Sequence, residues 1–122
     1  MMLGGLPLAD PQRAEPVDLE ALARELLQEA TERPNGLRTR PVIRGPQQHA
    51  VLFALRAGSR LPEHEAPPAA TIQVLRGEAV LVAGEERWVL QAGELLPIPP
   101  VRHHVDAATD TVCLLTICRP AA

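Results

Sequence analysis

GSRLPEHEAPPAATIQVLRG, residues 58–77, and GELLPIPPVRHHVDAA, residues 93–108, carry the chain's architecture. Each opens on a glycine. In the first, His64 stands six positions after Gly58 and the segment closes on Gly77; in the second, Pro99 stands six positions after Gly93 and His104 five after Pro99. Alternate residues of a strand face one side of its sheet. His64 therefore shares a face with Ala66, Pro68, Ala70, Ile72 and Val74, while Glu63 and Glu65 take the other. With His64 turned inward, Ile72 and Val74 become the apolar wall of a pocket. In the second segment His104 shares a face with Asp106, and its neighbour His103 takes the other.

Working outward from these segments, everything from Pro41 onward is short, apolar and bounded by turn residues. Strands are predicted over residues 49–57, 70–76, 78–83, 87–90, 94–98, 103–106 and 111–119. The turns at Gly58, Gly77, Gly84-Glu85 and Ala92-Gly93 recur at the spacing that marks a sandwich or barrel. Closing such a sheet on itself hides its many strand edges, so the expected fold is an all-β jelly-roll barrel. One α-helix precedes it. Leu19, Leu22, Ala23, Leu26, Leu27 and Ala30 form a single apolar stripe, Asp18 is placed to cap the start, and Arg33-Pro34-Asn35-Gly36 stops the helix near Thr31. Residues 1–16, with three prolines and two glycines, read as a loose arm. The division expected is an arm and helix over residues 1–40 and a barrel over residues 41–122.

The two segments resemble the two conserved motifs of the cupin superfamily, specifically its small single-domain members. The resemblance covers about residues 45–119. Gly58, His64, Gly77, Gly93, Pro99 and His104 fall on motif positions at the family's spacing, whereas Ala66, Ala70, Val101 and Ala108 stand where the family has His, Glu, Gly and Asn. The resemblance implies a cupin double-stranded β-helix barrel with a degenerate metal site. It offers His64 and His104 as the ligands if a divalent ion (Zn, Fe, Ni or Mn) binds, with His49 and Asp106 as further polar candidates. Two histidines are few for an ion that usually takes three or four protein ligands. His49 lies with Val51, Phe53 and Leu55 on one strand face, either on the inner wall at one end or capping that end in solvent.

Other chemistries find little support. The chain has 122 residues and a formal charge of −3, without a basic stripe interleaved with aromatics, so nucleic acid is not an expected partner. No apolar run approaches the length of a membrane span, and MMLGGLPLADP lacks the basic start of a signal peptide, so a cytoplasmic protein is expected. Cys113 and Cys118, five apart on one strand, would sit about 16 Å from each other and stay free thiols. No phosphate-binding glycine loop and no G-x-S-x-G element occurs. Two readings follow. One is a cupin that binds a small molecule in its barrel, non-catalytic or weakly catalytic, with His64 and His104 orienting the ligand's polar end. The other is a metal-dependent enzyme of the dioxygenase, isomerase or decarboxylase type using an unusual two-His site. A homodimer is expected under either, because a short aliphatic chain exposes much of its sheet surface and the helix adds an apolar stripe to be buried against its own barrel or another chain.

Overall fold

The computed structural model describes residues 14–67 and 69–119. Residues 1–13 of the expected arm, and Pro68, lie outside them. Helix α1 runs Leu19–Thr31. The side chain of Asp18 accepts the Ala21 N–H at 3.0 Å, satisfying one of the amides a helix start leaves open. At the other end the guanidinium of Arg56 donates to the carbonyls of Thr31, Arg33 and Pro34, at 3.2, 3.0 and 3.3 Å. A cation among the last carbonyls also complements the negative end of the helix dipole. Gly36 then turns the chain into the barrel with φ of +67°, which favours glycine.

Nine strands follow among the described residues: β1 Leu37–Arg44, β2 Gln48–Leu55, β3 Arg60–His64, β4 Ala69–Arg76, β5 Glu78–Ala83, β6 Glu86–Gln91, β7 Leu95–Pro97, β8 His103–Ala107 and β9 Thr111–Cys118. They form a five-stranded sheet in the order β1-β2-β9-β4-β7 and a four-stranded sheet in the order β3-β8-β5-β6. Every pairing is antiparallel. The fold is the all-β barrel with one N-terminal helix that the turn spacing predicts. Strands β1 and β3 are additional to the expected set, and β1 straddles the boundary drawn at residue 40.

Two apolar layers hold the molecule together. Between the sheets lie Phe53, Leu55, Ile72, Val74, Leu81, Val105 and Cys113, with Trp88 packed against them. On the outer face of the five-stranded sheet, Leu22, Ala23, Leu26 and Ala30 of the helix pack on Val42, Ala50, Leu52, Ala54 and Val112. The alternation along β2 explains both: Phe53 and Leu55 point into the barrel, Leu52 and Ala54 under the helix. The helix stripe is thus covered by the chain's own barrel, which leaves the exposed sheet surface as the ground for a second copy.

The inner face is not sealed evenly. Phe53, Leu55, Val74 and Cys113, toward one end, are fully buried. Toward the other end the inner-face residues of the same strands, His49 and Val51 of β2, Ala70 of β4, and Leu115 and Ile117 of β9, are only half-buried. His49 and Ala70 both pair with Ile117 in register. The barrel is closed at the first end and open at the second.

Candidate functional site

Strands β3 and β8 bring two imidazoles together at the open end. Along β3, Leu61 pairs with Val105 and His64 with His103, three residues against two, so β3 carries a bulge of one extra residue. The bulge turns Leu61 and His64 to the same side although they are three apart. On β8, His103, Val105 and Ala107 alternate inward, all buried. His64 and His103 meet edge to face, with ring centroids 4.4 Å apart and planes at 68°.

The inward histidine of the second segment is therefore His103, which is 1% exposed. This corrects the expectation drawn from the motif count. His104 lies on the outer face, its Nε2 3.4 Å from Asp106 Oδ2, and Asp106 in turn accepts from Arg60 Nε at 2.6 Å. The physical reason is strand parity: Val105 and Ala107 must fill the barrel, and their partners Leu81 and Ala79 are buried core. Asp106 and His104 take the wet face. A one-residue slip exchanges the two faces of a strand. The apolar pattern at residues 105 and 107, weighed against Asp106, was the sequence signal for it.

The remaining candidates distribute as follows. Ile72 and Val74 are at 0% exposure and belong to the packed interior, two and four residues deeper along β4 than Ala70. They form a floor. His49 is on the inner face at the open end, opposite Ile117. Asp106 belongs to the outer face, away from the imidazole pair. Glu63 and Glu65, on either side of His64 in sequence, both receive Arg102, at 3.4 and 2.6 Å. Arg102 precedes His103, so this outer ion-pair cluster ties together the two segments that carry the inner histidines.

Both inner rings are fixed by the backbone. His64 Nδ1 is 2.9 Å from the Pro62 carbonyl and His103 Nδ1 is 2.8 Å from the Val101 carbonyl. A carbonyl oxygen only accepts, so each Nδ1 carries the proton and donates it, and each Nε2 of the neutral ring keeps a lone pair. On the outer face, burial pushes the Asp106 carboxyl up. The hydrogen bond and charge of Arg60, with His104, outweigh that and hold it below the usual range. Burial pushes the Cys113 thiol up to about 12, so it is an inert core residue. Cys118 is exposed, and both cysteines are free.

The cupin resemblance implies a divalent metal, and the donors can be tested against one. Nδ1 held by a carbonyl with Nε2 open is the usual tautomer of a metal-binding histidine. The count fails, however. Ala66 and Ala70 have no donor atoms, and among the described residues no three His, Cys, Asp or Glu side chains converge. The residues present do not fit a three- or four-ligand site.

No protein-family model matches this sequence, and no curated protein matches it by sequence. Solved structures do. An RmlC-like cupin from Desulfovibrio desulfuricans is 30% identical with a TM-score of 0.63, over 70% of this chain and 84% of that one. The chain belongs to the cupin superfamily. A Streptococcus pyogenes protein of unknown function matches 98% of this cupin and 100% of its own length at 20% identity and a TM-score of 0.70. A salicylate 1,2-dioxygenase from Pseudaminobacter salicylatoxidans matches 79% of this cupin with 32% of its own length, at 17% identity and a TM-score of 0.66. Likeness at those two identities concerns the fold alone. Among the described residues, no helix is long and apolar enough to cross a membrane.

Proposed function

We propose that this cupin binds a small organic molecule at the open end of its barrel, as a carrier or sensor rather than as a metal enzyme. His64 and His103 hold the ligand's polar end and the half-buried aliphatic wall of Val51, Leu115 and Ile117 holds its body. The observation that carries this reading is the uneven burial of the inner face: fully packed at Phe53, Val74 and Cys113, half-open at the end where the two imidazoles stand side by side. Ligand sites are generally mostly apolar concavities with a few convergent polar groups. The metal-independent form of the reading follows from the ligand count.

The test is a fragment screen by nuclear magnetic resonance on protein carrying labelled histidine rings and labelled Ile, Leu and Val methyls. Hits are expected to shift His64, His103 and Ile117 together, unchanged after chelator treatment, and to vanish in His103→Ala while persisting in His104→Ala. Hits that depend on added metal, or that leave those rings unmoved, would refute the reading.

A further inference from the structure

The ring tautomers restrict the ligand's chemistry further. We infer that the His64–His103 pair selects an uncharged ligand presenting a hydrogen-bond donor, such as a hydroxyl on an apolar body, and disfavours a carboxylate at that position. This deepens the reading above and rests on it. Each Nδ1 is already committed to a backbone carbonyl two residues earlier in its own chain segment. What remains on each neutral ring is an Nε2 lone pair, and among the described residues neither Nε2 has a hydrogen-bond partner from the protein. Two neighbouring acceptors are complementary to a donor and repel an anion.

The nearby cations do not reverse this. Arg102 is engaged by Glu63 and Glu65, and Arg60 by Asp106, all on the outer face of the sheet. Arg44 pairs in register with His49 on the inner side of β1, but it is exposed at the rim. An anion drawn to the mouth by Arg44 is the competing outcome, and the experiment includes it.

Two measurements on the full-length protein at neutral pH test the inference. First, two-bond proton–nitrogen correlation spectra of the histidine rings report the tautomer directly. The Nδ1–H form is expected for both His64 and His103, and an Nε2–H form of either ring overturns the inference. Second, phenol, toluene and benzoate are titrated as probes sharing one ring and differing in the polar group. Phenol is expected to shift both Nε2 signals and to bind about tenfold more tightly than toluene, the worth of one net hydrogen bond. Benzoate is expected to leave them unmoved. Toluene binding as well as phenol, or benzoate binding better than either, overturns the donor preference while leaving a pocket. If none of the three moves His64, His103 or Ile117, the binding reading and the inference fall together.

Discussion

His103 and His104 are adjacent in sequence and opposite in consequence. His103 is buried, packed on His64, and donates to the Val101 carbonyl. His104 faces outward toward Asp106. His103→Ala should therefore leave a void and an unpaired carbonyl, at a cost of about 1–3 kcal/mol, while His104→Ala should hardly move the urea midpoint. Equal midpoints for the two variants would show that the register of β8 is wrong. Asp106 makes a separate prediction. Its pKa is lowered on folding, so its pairing stabilises the protein above the unfolded carboxylate range, near pH 4, and that contribution disappears as pH falls through the folded value. Asp106→Asn should consequently lose less stability than the parent between neutral and acid pH. The effect should be small and should shrink in salt, because the Arg60 and Asp106 side chains are 57% and 35% exposed. Urea midpoints measured across that pH range, at low and high salt, check both statements. At this scale the sequence yielded His64 but misplaced its partner. Val101 stood where the motif count required glycine, and counting through that break carried the frame one residue too far.

The elements were more legible than the residues, with two instructive exceptions. Helix α1 was readable because its stripe, its Asp18 cap and its Pro34-Asn35-Gly36 stop are all local signals. Strand β1 was not, because LRTRPVIR holds Pro41 and three arginines. Pro41 is tolerated where β1 is the edge of its sheet and shifts register through a bulge. Arg38 and Arg40 turn toward the helix, where Glu29 and Glu25 receive them at 2.8 and 3.3 Å. Those partners come from another element, so no local window reveals them. Strand β3 was hidden by Pro62 and by its bulge, which breaks the alternation that strand reading relies on. The helix supplies the prediction at this scale. Leu26 is fully buried against the sheet, so Leu26→Ala should cost about 2–5 kcal/mol. Gln28→Ala, on the exposed side, should be close to neutral. Thermal or urea unfolding of the two variants decides it, and a Leu26→Ala cost below that of ordinary surface changes would mean the helix is loosely held.

For the whole molecule the decisive feature is that β2 and β9, toward the closed end of the barrel, are buried on both faces. Phe53, Leu55 and Cys113 fill the barrel, while Leu52, Ala54 and Val112 are covered by the helix. The barrel was legible from turn spacing and the two glycine-framed segments. The helix's role was not, because a stripe of apolar residues announces that it needs a surface without naming which. Read from sequence, deletion of residues 1–33 should weaken association or solubility more than it disturbs the strands. The packing keeps the loss of solubility and adds a disturbance of the strands themselves. Removing the helix exposes Val42, Ala50, Leu52, Ala54 and Val112 together, a contiguous apolar face across β1, β2 and β9 of one sheet, and frees the Arg56 guanidinium from the carbonyls that end the helix. A face of that kind on a soluble monomer drives association. The truncated chain should therefore aggregate, or unfold at a markedly lower urea concentration with loss of cooperativity, and adding the helix back as a separate peptide should restore part of the lost protection. Amide hydrogen exchange gives the sharpest readout: β2 and β9 amides should lose protection first and the β5–β6 hairpin, remote from the helix, last. A truncated protein with parental midpoint and parental protection at Leu52 and Val112 would show that the barrel stands without its helix.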